Sequence, residues 1–527
     1  MTQWQVVPKT RSGGYRILTS AEVKAADERA SQVLGVPSTA LMESAGRAVA
    51  EVTQRRLEGQ PARPDARFVA VVAGRGSNGG DGLVAARLLA DWGHTVLVVL
   101  CAHADALRGD AATALGAARA AGVAVIEVTD GEGFLQLPAP ERFLIVVDAL
   151  LGTGLTGEVH GVALDAITWM QGVKVPIVAV DLPSGVCADT GRVLGAAAPA
   201  DETVTFGASR AGHWMFPGAS LLGRLTIADI GLSELAMQGP ERRLLSSTDL
   251  EPAFAERPAD GHKGTFGHVY VLAGSPGRTG AARMACEAVL KAGAGLCTLG
   301  TTREAFNLVA GALLESMAEV ALEPNERGIS AAERVAARVN RLDAAVIGPG
   351  LPNDPEMADF IAALVPKLAV PAVLDAEALN LLVRRKELFE QGAAKVITPH
   401  PGEAARLLGR GVGEVQAARL DAARSLADDT ACVVVLKGAH TVVASPDGRV
   451  WLCPDGNPGM GTAGMGDVLA GIIGALLGRG LEPVEAATAG VLWHARAGDL
   501  VAARRSQASL TAMDVVGALA DVERTPC

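Results

Sequence analysis

The features that would place this chain of 527 residues in several special classes are missing from its sequence. Its seven cysteines are an odd number and include no C-x-x-C pair, which argues against a cysteine-ligated metal and indicates reduced thiols that mostly fill the core. Basic residues form no block and the net charge is −11, so we expect no nucleic-acid partner. The longest apolar run, 468–477, is too short to span a bilayer.

The N-terminal region also lacks an apolar stretch of the signal-peptide kind, since Lys9 and Arg11 introduce charge early. We therefore expect a cytoplasmic protein with no membrane partner. The chain is too long for one ordinary hydrophobic core, and its length predicts about two to four domains. No internal repeat makes one half a copy of the other.

Short β-branched runs alternate with longer alanine-rich runs from about residue 67. Continuous apolar strands separated by helical segments indicate parallel sheets covered on both faces. The pattern stops in a polar stretch that contains Pro240, Pro252 and Pro258, and then restarts. The sequence thus predicts α/β domains at 1–235 and 261–527, joined by a linker at 236–260. The predicted strands are 68–73, 95–100, 123–128, 143–147, 177–180 and 203–206, then 268–273, 296–299, 344–347, 372–374, 395–397 and 432–436. Helices are predicted at 21–33, capped by Ser20, and at 42–55.

Two glycine-rich loops, at 74–82 and 456–467, are the most informative features present. Each contains one aspartate, Asp81 or Asp467, and neither is a Walker A or a dinucleotide fingerprint. Each loop precedes an alanine- and leucine-rich helical pattern, so it can direct backbone N–H groups and a helix N-terminus at an anion. The sequence therefore predicts two separate sites for phosphate-bearing ligands.

Polar residues accompany other strands of the first domain, namely Asp148, Asp181 and Asp201. We expect them to lie with the 74–82 loop, because the carboxyl ends of parallel strands meet at one edge of a sheet. Carboxylates beside N–H groups meant for phosphate repel the ligand unless a cation or a proton intervenes, which indicates a monovalent or divalent cation. Each aspartate could instead cap a helix or loop.

The strings at 72–82, 147–155, 181–185 and 189–191 resemble the NAD(P)H-hydrate epimerase family over about residues 17–232. The resemblance implies a Rossmann-like three-layer sandwich that interconverts the R and S forms of hydrated NADH or NADPH. It also implies a potassium ion bound by Asn78, Asp148 and Ser184. The implied substrate contacts are Ser77, Asn78, Gly79, Gly80, Asp81, Gly152, Thr153, Gly154, Leu155, Thr156, Gly157, Glu158 and Asp181.

Asp181 is the first candidate for moving the proton in that reaction and Asp81 the second, since carboxylates in sheltered clefts can be tuned toward neutral pKa. Ser77 stands where the family usually has a second asparagine. This replacement weakens one implied side-chain contact and leaves the glycines and Asp81 in place.

In the second domain, Asp467 is placed at a predicted helix N-terminus beside glycines. This arrangement can deprotonate a hydroxyl that attacks a phosphoryl group, although the aspartate could also be a simple helix cap. His400, between two prolines, is either a buried structural histidine or a ligand contact. Lys437 is either a solvated lysine at a strand end or a phosphate contact.

The strings at 398–403, 436–441 and 457–471 resemble the ribokinase-like NAD(P)H-hydrate dehydratase family, over about residues 245–522. The resemblance implies that the S hydrate loses water while ADP becomes AMP and phosphate, with Asp467 as the base. Mg²⁺ is expected with the nucleotide because uncompensated phosphate charge opposes transfer. The implied contacts are Ala281, Gly350, His400 and Asp467 for the hydrate, and Lys437, Gly438, Ala439, His440, Thr441 and Gly466 for the nucleotide. Pro352 departs from the family pattern after Gly350.

Both resemblances concern steps of one repair pathway, so the sequence predicts a bifunctional enzyme and favours a homo-oligomer. Two alternatives stay open at this stage. One is a ribokinase-superfamily small-molecule kinase with a regulatory first domain. The other is a nucleotide-binding scaffold that has lost chemistry at one or both sites.

Overall fold

The computed structural model describes residues 5–7, 15–59, 65–232, 235–324 and 328–522. The chain forms two compact units. The first ends at Gly239, and the second continues from Pro240.

The first unit is built on an eight-stranded sheet in which all neighbouring strands are parallel. Along the chain, the strands are β1 (Gln5–Val7), β2 (Ile17–Leu18), β3 (Phe68–Ala73), β4 (Thr95–Leu100), β5 (Ala124–Glu127), β6 (Phe143–Ala149), β7 (Ile177–Val180), β8 (Glu202–Phe206), β9 (Ser209–Arg210) and β10 (Arg224–Ala228). The helices are α1 (Ser20–Gln32), α2 (Ser38–Glu58), α3 (Ser77–Asp91), α4 (Gly109–Ala120), α5 (Gly131–Phe134) and α6 (Val162–Gly172). The sheet order is β1-β10-β8-β7-β6-β3-β4-β5, while β2 and β9 pair separately.

Apolar cores cover both faces of this sheet. Helices α2, α3 and α4 pack on one face, and α5 and α6 pack on the other. The chain moves outward from β3 to β5 in one direction and from β6 to β8 in the other. The carboxyl ends of β3 and β6 therefore flank a topological switch point, where ligands bind in open α/β sheets. The predicted Rossmann-like three-layer fold is confirmed.

The second unit has a ten-stranded sheet that is parallel except at its β18–β19–β20 meander. Its strands are β11 (Arg242–Leu244), β12 (His268–Leu272), β13 (Leu296–Thr302), β14 (Met317–Leu322), β15 (Ala344–Ile347), β16 (Ala372–Leu374), β17 (Lys395–Ile397), β18 (Val433–Leu436), β19 (Val442–Ala444) and β20 (Val450–Leu452). The helices are α7 (Thr279–Lys291), α8 (Arg303–Val309), α9 (Ile329–Val339), α10 (Pro355–Leu364), α11 (Glu377–Leu382), α12 (Pro401–Leu408), α13 (Val412–Ala417), α14 (Arg419–Thr430), α15 (Met465–Gly478), α16 (Pro483–Arg504) and α17 (Ala512–Val522). The sheet order is β11-β20-β19-β18-β17-β16-β15-β12-β13-β14.

This sheet has its own switch point, between β12 and β15. Helices α7, α15, α16 and α17 share one apolar core with strand side chains. The long α15 is buried because its sequence, MGDVLAGIIGALLG, is apolar on nearly every side after Asp467. Its N-terminus is thereby fixed beside the carboxyl ends of the central strands, in contact with β15 and β16.

The twelve predicted strands are all present, with ends shifted by no more than a few residues. Helix α1 is capped by Thr19 rather than Ser20, in a capping box with Glu22. The stretch 236–260, predicted as a linker, contains β11 and a 3-10 helix at Ser247–Phe254, which pack within the second unit.

The prediction that Asp201 joins the ligand edge of the first sheet is wrong. Asp201 precedes β8, and its carboxylate accepts a hydrogen bond of 2.9 Å from the N–H of Ile177, at the start of β7. It therefore lies at the amino ends of the strands, on the opposite edge.

Six cysteines lie within the described residues as free thiols, and all but Cys187 are buried, as expected for core filler. The seventh, Cys527, lies outside the described residues. In the part of the chain that the structure covers, every helix is too short or too polar to cross a membrane.

Candidate active sites

A cavity of about 1350 Å³ opens at the switch point of the first sheet. Most of the residues predicted to contact substrate line it: Ser77, Asn78, Asp81, Gly152, Thr153, Gly154, Leu155, Thr156, Gly157, Glu158 and Asp181. Gly79 and Gly80 do not, because they face the protein. A Cβ atom on Gly79 would lie 1.9 Å from the carbonyl oxygen of Gly74, and one on Gly80 would lie 2.6 Å from Met42. These two glycines allow α3 to pack closely.

The three residues predicted to bind potassium meet beneath the cavity, around the backbone of Leu151. Asp148 is fully buried and accepts hydrogen bonds from the Ser184 hydroxyl (2.6 Å) and the Ser184 N–H (2.8 Å). The Ser184 oxygen accepts a bond of 2.9 Å from the Leu151 N–H, and the Asn78 amide donates to the Leu151 carbonyl at 3.1 Å. Carboxylate, hydroxyl, amide and carbonyl oxygens are thus gathered in one place.

This donor set fits a hard cation, which prefers oxygen ligands. Burial raises the pKa of Asp148 to about 6, and the hydrogen bonds from Ser184 and the Leu150 N–H oppose that shift. A nearby cation would further favour the charged carboxylate. Among the described residues, no group of three or more His, Cys, Asp or Glu side chains is arranged to hold a metal ion.

Asp181 lies at the inner wall of the cavity and is only 6% exposed. Its carboxylate forms an ion pair of 3.2 Å with Arg210 and accepts a hydrogen bond of 2.9 Å from the Thr205 hydroxyl. Nδ1 of His213 accepts a bond from the Arg210 N–H, so Nε2 carries the proton and donates to the Asp181 carbonyl at 2.7 Å. Asp181 is therefore held by groups from β8 and from the segment that follows it.

Two further carboxylates face Asp181. Burial raises the pKa of Asp81 well above its ordinary value, and the charges of Asp181 and Asp27 add to the effect. Asp27, on α1, also lines the cavity. Burial raises its pKa, Arg210 opposes the shift, and Asp181 adds to it. Three aspartates and one arginine thus form one electrostatic cluster.

Sequence reasoning missed Asp27 and Arg210 as site residues. Asp27 is far along the chain from the other groups, and only the placement of α1 brings it to the cavity. The Ser20 N–H and hydroxyl both donate to Asp189, at 2.7 and 3.1 Å, and this contact fixes the start of α1. The string at 189–191 that carried the family resemblance therefore has a structural role here.

The second candidate site lies where β16, β17 and β18 end beside the N-terminus of α15. Nζ of Lys437 donates to Asp375 at 2.6 Å and lies 4.0 Å from Glu403. Burial acts to lower the pKa of Lys437, but the carboxylates of Asp375 and Glu403 outweigh it and raise that pKa. Burial raises the pKa of Glu403 to about 7, which Lys437 opposes. Lys437 is therefore not the solvated lysine of the alternative interpretation.

Asp467 is the third residue of α15, whose N-cap is Gly464, so the interpretation as a helix cap is excluded. Burial raises the pKa of Asp467 to about 7; the charge of Asp375 adds to this shift and Lys437 opposes it. Within the described chain the carboxylate has no hydrogen bond or ion pair. Gly466 leaves space for Lys437, whose Nζ lies 3.2 Å from where a Cβ of residue 466 would be. The lysine and the aspartate thus meet at the helix N-terminus.

His400 is half-exposed, which excludes a buried structural histidine. Its Nδ1 accepts the N–H of Gly402 at 3.0 Å as the cap of α12, and Nε2 lies 3.4 Å from Glu403. Burial, Lys437 and Arg406 lower the pKa of His400. The imidazole thus caps the helix through Nδ1 and keeps about half of its side chain exposed beside Glu403.

Ala281 and Gly350 lie together at the switch point of the second sheet. A Cβ on Gly350 would be 3.2 Å from the Cβ of Ala281. The Ser275 hydroxyl donates to the Gly350 carbonyl at 2.8 Å, which fixes the turn after β15. The predicted nucleotide residues Lys437, Gly438, Ala439, His440 and Thr441 form the loop between β18 and β19.

Backbone strain marks both sites. Four described residues other than glycine have positive φ, and three of them belong to the sites: Asp181 (64°), Ala376 (50°), which follows Asp375, and His440 (53°). L-residues rarely adopt this region, and surrounding structure must hold them there.

The folds and sites together define a two-domain α/β enzyme of nucleotide chemistry. The family model described as NAD(P)H-hydrate dehydratase matches residues 269–520, and the one described as YjeF-related protein N-terminus matches residues 38–212. A bifunctional NAD(P)H-hydrate repair enzyme from Moorella thermoacetica is 42% identical over 96% of both chains, and one from Thermofilum pendens is 40% identical over 96% of this chain and 95% of its own. The chain belongs to the family of bifunctional NAD(P)H-hydrate repair enzymes.

Among solved structures, an ADP/ATP-dependent NAD(P)H-hydrate dehydratase from Bacillus subtilis, co-crystallised with ATP and Mg²⁺, is 30% identical to the chain. It matches 53% of this chain and 98% of its own, with a TM-score of 0.47.

Proposed function

We propose that the first domain epimerises hydrated NADH or NADPH at the cavity above Asp148, and that the second domain dehydrates the S form at Asp467. The observation that carries the proposal is the presence of two separate clusters of carboxylates in a chain from this family. One lies at the switch point of the first sheet, and the other lies at the N-terminus of α15 in the second domain. Family membership favours this function over the kinase and scaffold alternatives.

In the first site, Asp181 is the group that accepts and returns a proton at the hydrated carbon, with Asp81 as its partner. Asp181 forms an ion pair with Arg210 at 3.2 Å, whereas burial and the charges of Asp181 and Asp27 raise the pKa of Asp81 well above its ordinary value. Neighbouring carboxyls whose environments differ in this way can supply both the acid and the base that inversion needs.

Asn78, Asp148 and Ser184 would hold potassium in this site, since they present the oxygen donors that it takes. When bound, the cation compensates negative charge near the phosphates of the substrate. The N–H groups at the start of α3 would take those phosphates, together with Ser77. Ser77 offers a hydroxyl in place of the family's amide.

In the second site, Asp467 would remove the proton from the hydrate hydroxyl as that oxygen attacks the terminal phosphoryl group of ADP. AMP leaves, and the hydroxyl oxygen becomes part of a phosphate ester, a better leaving group than hydroxide. The lone pair of the ring nitrogen then expels phosphate, and loss of a proton from the neighbouring carbon restores the double bond. The overall products are NAD(P)H, AMP, phosphate and a proton.

Ala281, Gly350 and His400 would contact the hydrate, while the 437–441 loop and Gly466 would contact ADP. Lys437 lies between the carboxylates of Asp375 and Glu403 and would stabilise charge that develops on the transferred phosphoryl group. Mg²⁺ bound with the nucleotide would neutralise phosphate charge. Asp375 and Glu403, which contact Lys437, are the carboxylates beside the proposed site of the nucleotide phosphates.

We further propose that the enzyme works in the cytoplasm, as a homo-oligomer, without nucleic-acid or membrane partners. Buried free thiols fit a reducing compartment, and the oligomer is inferred from the family resemblance alone. The domain limits proposed for the two activities are 1–235 and 261–527.

The test is to mix the purified full chain with racemic NADPH hydrate and ADP, or ATP, and to follow the return of NADPH absorbance. Recovery of the whole racemate, faster than spontaneous epimerisation, is expected. Recovery of only half would contradict the epimerase assignment. No recovery with either nucleotide, or phosphorylated hydrate as the final product, would contradict the dehydratase assignment.

A further inference from the structure

Arg419, the first residue of α14, occupies a position that is unfavourable for an arginine. It is 6% exposed, and it lies at the positive end of the helix dipole. Burial lowers its pKa to about 10, and no carboxylate in the described part of the chain offsets that burial. Its Nε atom is also buried without a hydrogen-bond partner among the described residues. A buried cation without a counterion is costly and calls for a compensating anion.

The guanidinium binds the backbone at the end of β18. Its Nη2 donates to the carbonyls of Leu436 (3.1 Å) and Lys437 (3.2 Å), while Nη1 donates to the Gln416 side chain at 2.7 Å. The Thr441 hydroxyl donates to the next carbonyl, that of Gly438, at 3.0 Å. Three consecutive carbonyls of the 437–441 loop and its approach are therefore occupied.

The N–H groups of the same peptides face the other way. Each peptide unit is planar and trans, so binding the carbonyls of Lys437 and Gly438 turns the N–H groups of Gly438 and Ala439 away from those bonds. Neither N–H donates to any atom in the part of the chain that the structure describes. Both residues are exposed. The loop thus presents two free donors on the side opposite its bound carbonyls, which is the form of an anion-binding loop.

Gly438 makes this arrangement possible. Its φ of 139° is rare for L-residues with side chains, and a Cβ at this position would lie 2.9 Å from Nη1 and 3.0 Å from Nη2 of Arg419. A side chain here would displace the guanidinium from the two carbonyls. The position of the Arg419 guanidinium therefore depends on the absence of a side chain at Gly438.

We propose that Arg419 is a positioning residue for nucleotide binding: it holds the carbonyls of the β18 end so that the loop N–H groups face the phosphates of ADP, and it contributes an uncompensated positive charge beneath them. The inference rests on the proposed placement of ADP at the 437–441 loop. It assigns Arg419 a role that depends on the charge of the ligand, because a bound phosphate supplies the anion that the protein lacks there.

The experiment measures the dissociation constants of ADP, AMP and adenosine by calorimetry, on the full chain and on three variants. Arg419→Met removes the charge and the donors, Arg419→Lys keeps the charge but loses the planar, multiply donating guanidinium, and Arg424→Met is the matched control. Arg424 is an exposed arginine on the same helix, 3.9 Å from Asp428. We expect Arg419→Met to weaken ADP by about tenfold to a hundredfold, as for loss of hydrogen bonds from a charged group. The loss should be smaller for AMP and slight for adenosine.

The dissociation constant of ADP for Arg419→Lys should lie between those for the wild type and Arg419→Met, and that for Arg424→Met should equal the wild-type value. In the Arg419 variants, kcat for dehydration at saturating ADP should change much less than the KM for ADP. An unchanged ADP constant in a folded Arg419→Met would overturn the proposal, as would an equal loss for adenosine and ADP, which marks a purely structural role. If Arg419→Met does not fold, Gly438→Ala, in the exposed loop, gives the same test with the same graded loss expected. Failure of the wild type to bind ADP would instead refute the proposed nucleotide site, and the inference with it.

Discussion

Replacement of Asp467 by asparagine should remove dehydration while making the second domain more stable at alkaline pH. Asparagine has nearly the same shape but cannot take a proton from the hydrate hydroxyl. Removing a general base costs about a hundredfold to ten-thousandfold in rate. The epimerase activity should be unchanged because the residues assigned to it all belong to the first unit.

The stability gain follows from the pKa of the carboxyl. Raising it from 3.8 to about 7 corresponds to about 4 kcal/mol, at about 1.36 kcal/mol per pH unit. The folded-state pKa lies above the unfolded one, so the stabilising effect of the protonated carboxyl is complete below about pH 4 and is lost as pH rises through about 7. The side chain of the Asp467→Asn variant has no charge to develop. Because the side chain is partly exposed, we expect a gain of about 1 to 3 kcal/mol at pH 8 and none at pH 4.

Thermal unfolding of the full chain at both pH values checks this, and the transition of the second domain is recognised as the one whose midpoint should rise on addition of ADP. A gain of this size shifts the midpoint by about 2 to 4 °C per kcal/mol. Asp428→Asn, at an exposed position on α14, is the control and should change little. If the Asp467→Asn variant is less stable than the wild type at pH 8, the charged Asp467 carboxylate does not destabilise the folded protein and the reasoning is refuted. Retained dehydration by the variant would refute the role of Asp467 as the base.

Three further predictions concern the two sites. The kcat/KM for dehydration should fall tenfold per pH unit below about pH 7, as Asp467 becomes protonated, and a flat profile from pH 5 to 8 would contradict this. Asp148→Ala should leave the two Ser184 donors unsatisfied, cost about 1 to 3 kcal/mol in the unfolding free energy of the first domain, and abolish any potassium dependence of epimerisation; an epimerase indifferent to the change speaks against the cation site. Asp27→Asn should slow epimerisation at neutral pH and leave dehydration of the pure S form unchanged, whereas Glu132→Gln, at an exposed position on α5 outside the cavity lining, serves as the control; equal epimerase rates in the two variants would exclude Asp27 from the chemistry.

The sequence was sufficient for the parts of the fold that are coded locally. Continuous apolar runs such as 68–73 and 344–347 predicted strands because a strand buried on both faces excludes polar residues. Strands β10, β19 and β20 were missed, although predicted strands such as 372–374 and 203–206 are equally short or equally rich in threonine. The error for Asp201 has a local cause: a polar residue beside a strand can precede it or follow it, and the local pattern does not distinguish the two edges.

The candidate sites show a similar division. The glycine loops and their aspartates were found because they combine turn chemistry with a following helix. Asp27, Arg210 and Arg419 were missed because their significance comes from partners far along the chain. Gly79 and Gly80 were named as substrate contacts from the family resemblance, and the structure adds a packing role for both, because neither has room for a side chain.

The left-handed residues at both sites have a consequence for directed evolution of this enzyme. Glycine or asparagine at positions 181, 376 and 440 would relieve backbone strain, just as a neutral side chain at 467 would relieve charge burial. A library screened only for heat resistance should therefore enrich such replacements, and two of these positions, 181 and 467, hold the proposed catalytic residues. Thermostable descendants selected without an activity screen are expected to keep the fold while losing the ability to repair cofactor.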